Sequence, residues 1–249
     1  MEANKNRILV FGGTGYIGKY VVKASISLGY PTLVYTRPIN SQTSPSKIQL
    51  CKEFNSIGAT LVEGELEHDQ IVRVIKEADI VICTFPYPQV MEQLKIVDAI
   101  KVAGNIKRFV PSDFGVEEDR VHPLPPFQAF LDKKIKIRRE IEAAGIPYTY
   151  VSANCFGAYF VNILLRPYEK NKDIVVHGSG QVKALPPPED IPISIIHSIF
   201  VRGDMANFEL EEDDLEASQL YPGYNYTSID QLLDKFLVDP IPPAYGAFE

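Results

Sequence analysis

The sequence predicts an α/β protein built on a Rossmann-type, doubly wound parallel sheet, and three observations carry that expectation. Short apolar runs alternate with longer amphipathic stretches through the first two-thirds of the chain. A glycine triplet, Gly12, Gly15 and Gly18, ends the first apolar run and opens the first amphipathic stretch. The alternation then stops after Asn154, which separates a larger part, residues 1–153, from a smaller part, residues 154–249.

Taken in order, the strand candidates are "ILVFG", "TLVYT", "TLVEG", "DIVICT", "RFVPS" and "YTYVS". Helices are expected from Ile17 to Leu28, Lys47 to Ile57, His68 to Ala78, Gln89 to Ala103 and Phe127 to Ala144. Right-handed crossovers between parallel strands place these helices on both faces of the sheet. Beyond Asn154 the sequence reads as a hairpin, "DIVVHGSGQVKA", then a proline-rich "LPPPEDIP" that forbids helix or central strand. An apolar "ISIIHSIFV", an acidic "ELEEDDLE" read as a solvated helix face, and a last helix in "SIDQLLDKFL" complete the chain.

Composition narrows the function classes. With 249 residues, 45% hydrophobic content and a formal net charge of -7, the chain can bury a substantial core but has no basic surplus for nucleic acid or anionic lipid. No apolar run reaches membrane-spanning length, and the start lacks a signal-peptide core, so a cytoplasmic location is expected. Cys51, Cys83 and Cys155 are scattered and read as reduced thiols, and the histidines stand too far apart for a local metal motif, so no metal is expected.

The glycine triplet points to a dinucleotide. A tight strand-to-helix turn needs residues without Cβ, a pyrophosphate needs close backbone approach, and a helix N-terminus offers free N–H groups. At the end of the second strand, where an acid would bind the ribose hydroxyls of NAD, the chain has Arg37. A guanidinium fork suits a 2′-phosphate, which favours NADP(H). Lys47 either adds a second positive charge there or is an ordinary exposed helix lysine.

In the helix "PPFQAFLDKKIKIRREIEAAG", Phe127, Phe130, Leu131, Ile135, Ile137 and Ile141 form one apolar arc. Lys134 falls inside that arc with Arg138 one turn on, whereas Lys133, Lys136 and Arg139 fall outside it. A lysine so placed is either a proton acceptor whose pKa desolvation lowers, or a structural cation that snorkels or pairs with a buried carboxylate. The wheel leaves both open. Phe130, four residues earlier, occupies the place of the tyrosine in the Tyr-x-x-x-Lys pair of carbonyl-reducing short-chain dehydrogenases, so the phenolic proton donor is missing.

With "FGGTGYIGKY", "TRP", "AIKVAGNIKRFVPSDFG", "FLDKKIKIRREIEAAGIPYTYVSANCF" and "LEASQLYPGYNYTSIDQLLDKF", the chain resembles a plant NADPH-dependent reductase family. That family holds the isoflavone, pinoresinol-lariciresinol and phenylcoumaran benzylic ether reductases, with eugenol and isoeugenol synthases as a branch that "PSDFGVEEDRVHPLPPF" resembles most. The resemblance implies NADPH bound by Gly12, Thr14, Gly15, Tyr16, Ile17, Gly18, Arg37 and Lys47, with Phe85, Ser112, Phe114, Asn154 and Phe156 toward its nicotinamide end. It implies Lys134 as the catalytic lysine, and Phe85, Tyr87, Phe156 and Tyr159 along the substrate; for the aromatics, core filling is the other reading.

The implied reaction starts from coniferyl acetate or a similar phenylpropanoid ester. Lys134 takes or relays the para-hydroxyl proton, acetate leaves, and hydride reaches the quinone methide to give eugenol, toward which Phe85 with Tyr87 leans, or isoeugenol. The alternatives are a phenylcoumaran benzylic ether or isoflavone-type reductase, or a non-catalytic NADPH-binding variant. The last arises because relatives are longer by several tens of residues, a shortfall expected at the 184/185 junction. A monomer or homodimer is expected.

Overall fold

The strands run β1 (Ile8–Phe11), β2 (Thr32–Thr36), β3 (Thr60–Glu63), β4 (Ile80–Cys83) and β5 (Arg108–Val110) in a computed structural model that describes residues 5–154, 190–204 and 209–238. They pair in the order β3-β2-β1-β4-β5, every pairing parallel. Ile8 of β1 stands beside Thr32 of β2 on one side and Ile80 of β4 on the other. The order reverses at β1, and there the crevice at the carboxyl ends of the strands opens.

Helices α1 (Gly18–Ser27), α2 (Pro45–Ser56), α3 (His68–Ile75), α4 (Gln93–Ala103) and α5 (Phe127–Ala143) follow the expected sequence of elements. α2 begins two residues earlier than its apolar period suggests. Ser44 caps it by accepting from the Lys47 N–H at 3.3 Å, and Pro45 sits in the first turn, where its missing N–H costs nothing. The segment before α4 is a 3₁₀ turn, Tyr87–Glu92, with Pro88 in its first turn. Gly104, at φ +68°, ends α4 in the left-handed conformation.

All four residues of β1 are buried, as a central strand covered on both faces requires. Leu9 and Phe11 pack with Leu33, Val81, the inner faces of α3 and α4, and Ile137 and Ile141 of α5. Ile8 and Val10 point the other way, toward Val34, Val22 of α1 and Phe54 of α2. The expected sixth strand is reduced to one parallel bridge between Phe109 and Tyr148. The Phe109 N–H reaches the Pro147 carbonyl at 2.8 Å and the Thr149 N–H reaches the Phe109 carbonyl at 3.0 Å, but β5 is only three residues long and Pro147 has no N–H to extend the ladder.

The chain divides into two compact units. The first holds residues 1–114, 118–120 and 128–152; the second holds 115–117, 121–127 and 153–249. In the second unit a helix, Asp190–His197, runs into a π-helical turn, Ser198–Arg202, stopped by Gly203 at φ +72°. Its last described helix is Ile229–Val238, where the sequence places one. The acidic run Glu209 to Glu216 is not the solvated helix face expected: it is an exposed turn, with the Glu211 N–H bonded to the Asp214 carboxylate at 2.8 Å. Asp side chains compete well for backbone N–H groups and favour turns over helix. The expected hairpin at 173–184 and the 184/185 junction lie outside the described residues.

Close approach explains the first turn. A Cβ on Gly18 would stand 2.2 Å from the Gly12 carbonyl oxygen and 2.7 Å from the Gly13 Cα. Gly18→Ala should therefore destabilise the first unit by about 1–3 kcal/mol, read as a lower urea midpoint at unchanged slope.

Candidate active site

Parallel pairing brings the carboxyl ends of β1, β4 and β5 to one edge of the sheet, and each contributes a loop. After β1 the chain turns on Gly12, at φ +76°, whose N-terminal neighbour Phe11 accepts hydrogen bonds from both the N–H and the hydroxyl of Thr84. A Cβ on Gly12 would meet the Thr84 carbonyl at 2.8 Å, so β4 presses against this turn. Gly15 differs: its missing Cβ has the Gly12 oxygen at 3.1 Å and then only the Thr84 oxygen at 3.9 Å. Gly12 and Gly18 are glycine because protein is close; at Gly15 the backbone is left open.

A cleft of about 680 Å³ lies over this turn, lined by Gly12, Thr14, Gly15, Arg37, Lys47 and Phe85 among others. A neighbouring hollow of about 640 Å³ shares Thr14, Gly15 and Lys47 and adds Tyr16 and Lys19. Ile17 is the residue before α1 and its carbonyl accepts from the Tyr20 and Val21 N–H groups. Arg37 is exposed at the rim, and among the described residues its guanidinium makes no ion pair. Lys47 is half-buried in the first turn of α2 and likewise has no ion pair among the described residues. An open backbone turn flanked by two such cations fits a phosphorylated dinucleotide.

After β4, Phe85 lines the cleft and its carbonyl accepts the Ser112 hydroxyl at 2.8 Å. Ser112 is buried, and its N–H donates to the buried Gln93 side chain at 2.7 Å. Ser112 is thus the tie between the loops after β4 and β5. Phe114 is half-buried two residues beyond it. Tyr87 stands apart from the cleft lining: its ring stacks on Phe130 with centroids 3.5 Å apart, and Lys133 donates to its hydroxyl at 2.9 Å.

The loop after β5 also meets α5 through a cluster of charges. Lys134 is 20% exposed, and its Nζ donates to the Asp113 carbonyl at 2.6 Å and to Glu118 Oε1 at 2.9 Å. Arg138, 2% exposed, spends its guanidinium on three acids: Nε to Asp113 at 2.9 Å, one terminal nitrogen to Glu118 at 2.5 Å and the other to Asp119 at 3.0 Å. Its plane also packs over the Tyr150 ring, 4.4 Å from the centroid. Burial pushes the Glu118 carboxyl above the ordinary glutamate value, against the pull of Lys134; Asp113 adds to the push and Arg138 opposes it.

Both inward cations are therefore where the helical wheel put them, and Lys134 is paired with a buried carboxylate. The carboxylates themselves, with Thr84 and Gln93, are site residues that sequence reasoning missed. One signal was available: two cations in an apolar arc require acids nearby, and "DFGVEED" is the acidic stretch just upstream. Asn154 belongs to the second unit. It adopts φ +54°, its N–H donates to the Gly115 carbonyl at 2.9 Å, and its buried Oδ1 has no partner among the described residues. Phe156 and Tyr159 lie outside the described residues.

Arg138→Met keeps most of the volume but removes the buried guanidinium that Asp113 and Glu118 share. A loss of about 3–5 kcal/mol is expected, measured as unfolding free energy by denaturant titration.

Comparison with known proteins places the chain in a family. The chain is 45% identical to isoeugenol synthase 1 of Petunia hybrida, across 100% of this chain and 98% of the relative. It is 43% identical to isoeugenol synthase 1 of Clarkia breweri, across 95% and 97%. That second alignment runs over 309 positions, which 249 residues cannot fill, so at least 60 positions have no counterpart here. Among solved structures, one from a study of pinoresinol-lariciresinol and phenylcoumaran benzylic ether reductases superimposes with a TM-score of 0.82 at 33% identity, covering 94% of this chain and 100% of that one. Another, described as AtPrR2 with NADP+ and (+)pinoresinol, gives 0.80 at 27% identity, covering 94% and 99%. The model of the NmrA-like family matches residues 4–193, and with these relatives it shows that the chain belongs to that family.

Proposed function

We propose that the protein is an NADPH-dependent reductase that forms a phenylpropene from an ester such as coniferyl acetate. The observation that carries this reading is Lys134: an amine 20% exposed, fixed by two hydrogen bonds, at the same edge of the sheet as the open glycine turn. The glycine turn receives the pyrophosphate, and Arg37 with Lys47 holds the 2′-phosphate. Ser112, Phe85, Phe114, Asn154 and Phe156 are assigned to the nicotinamide end. When bound, NADPH supplies hydride to an electrophilic carbon.

Lys134 removes the para-hydroxyl proton of the substrate. The phenolate electrons move through the ring and expel acetate, leaving a neutral quinone methide that accepts hydride. Attack at the benzylic carbon gives the allyl phenol, and attack at the chain terminus gives the propenyl phenol. Phe85 with Tyr87 leans toward eugenol, whereas the two relatives described above bear the isoeugenol name; identifying the volatile product by gas chromatography and mass spectrometry decides between them. The protein is assigned to the cytoplasm as a monomer or homodimer, with residues 1–153 holding cofactor and 154–249 covering substrate. Among the described residues no helix is long and apolar enough to cross a membrane, and Cys51 and Cys83 are free.

A second reading, reduction of a phenylcoumaran benzylic ether or an isoflavone, draws support from the 33% identical structural neighbour. Dehydrodiconiferyl alcohol would then drive NADPH oxidation in preference to coniferyl acetate. A third, binding of NADPH without turnover, draws support from the alignment positions that lack a counterpart.

Two outcomes test the leading reading. Incubation with coniferyl acetate and NADPH should yield eugenol or isoeugenol, and Lys134→Ala should lower kcat by at least about a hundredfold while NADPH binding persists. Arg37→Ala should weaken NADPH binding about tenfold or more and leave NADH binding unchanged, as followed by nicotinamide fluorescence.

A further inference from the structure

Lys134 presents one free direction. A tetrahedral nitrogen has four positions: one is taken by Cε, and two by the hydrogen bonds to the Asp113 carbonyl and to Glu118. The fourth holds a lone pair in the amine or a third N–H in the ammonium. Whatever passes between substrate and Lys134 passes there, with Glu118 bonded to the same nitrogen at 2.9 Å.

The reaction needs a place to keep a proton. The phenol must lose its proton before acetate leaves, and must regain one once hydride has arrived. We propose that Glu118 is the store: Lys134 relays the phenolic proton inward to the Glu118 carboxylate and hands it back when the ring rearomatises. This inference rests on the phenylpropene-forming reading of the site.

The step balances. An Nζ proton moves to Oε1 and frees the nitrogen lone pair, and the phenolic O–H bond breaks as a new Nζ–H bond forms there, so Lys134 ends the step with as many protons as it began with. The phenolate electron pair enters the ring and the C–O bond to acetate breaks, with acetate keeping that bond's electrons. Hydride brings two electrons from NADPH to carbon, which is reduced as the nicotinamide is oxidised. The quinone methide becomes a phenolate, which takes a proton from Nζ while Glu118 returns its own. No proton is drawn from solvent during the cycle.

The surroundings single out Glu118 among the acids. Asp113 meets Lys134 through its backbone carbonyl, which cannot store a proton at neutral pH, while its carboxylate faces Arg138 Nε. Burial would raise Asp119, yet hydrogen bonds from Arg139 and Arg138 hold it below the ordinary aspartate value. Glu118, with 0% side-chain exposure, has one oxygen on Lys134 and the other on Arg138, and burial makes its neutral form accessible. The charged groups facing it are Lys134 and Arg138 from α5 and Asp113 from the loop after β5, with Asp119 reached through Arg138.

Glu118 acts through Lys134 and is a positioning and storage residue, tested by Glu118→Gln and Glu118→Asp in the full chain. The store must begin empty, so wild-type kcat falls as pH drops through the raised Glu118 pKa. Glu118→Gln should lower kcat by at least about a hundredfold with NADPH affinity intact, and should lose this acidic limb; Glu118→Asp should keep a displaced limb. Retention of both kcat and the limb in Glu118→Gln overturns the proposal. If Glu118→Gln fails to bind NADPH, an unmoved limb in Glu118→Asp overturns it instead.

A second readout needs no turnover. 4-Nitrophenol added to the NADP⁺-loaded protein should absorb as phenolate in the wild type and as phenol in Glu118→Gln; equal spectra overturn the proposal. A wild type that ionises 4-nitrophenol through Glu118 yet makes no phenylpropene would sink the functional reading alone. An active wild type matched by Glu118→Gln would sink the relay alone.

Discussion

One buried guanidinium organises the chemistry-bearing part of this protein. Arg138 binds Asp113, Glu118 and Asp119 together, and so fastens the loop that follows β5 onto α5. A single buried cation with a single acid is seldom worth its desolvation, but here every guanidinium nitrogen has a partner and the aromatic face of Tyr150 covers the plane. The loop can adopt one arrangement against the helix, because any other leaves ionised groups in the core without compensation. Lys134, one turn earlier on α5, inherits that rigidity: both of its acceptors belong to the fastened loop.

The sheet provides the second constraint. Since all its pairings are parallel, the loops after β1, β4 and β5 share one edge, and short hydrogen bonds knit them together: Thr84 to Phe11, Ser112 to Phe85, and Ser112 to Gln93. The glycine turn, Phe85 and the loop that carries both acceptors of Lys134 are thereby tied to one another by hydrogen bonds. Sites built this way hold their groups to the tolerances that proton and hydride transfer demand.

Much of this was legible in the residues themselves. The glycine triplet after the continuous apolar run of β1 and the alternation of apolar runs with amphipathic stretches lead directly to the doubly wound order. The wheel of α5 separates Lys134 and Arg138 from Lys133, and the structure puts Lys133 on the exposed side, bonded to Tyr87. What sequence reasoning missed depends on pairing across distance. Nothing local says that Glu118, twenty residues before Arg138, reaches it, or that Gln93 is buried to receive the Ser112 N–H. The acidic run at Glu209 to Glu216 was misread because a dense run of acids resembles a polar helix face, whereas Asp214 is used locally to close a turn. The sixth strand failed for a similarly local reason, the proline at its start.

Arg37 has a different standing from the groups around Arg138. It lies at the rim, in contact with bulk water, so its attraction for a phosphate works through a high dielectric and is shared with dissolved ions. At physiological ionic strength the screening length is only about 8 Å, so whatever pull the Arg37 charge exerts on an anion fades as electrolyte rises, while the buried ion pairs around Arg138 stay insulated from it.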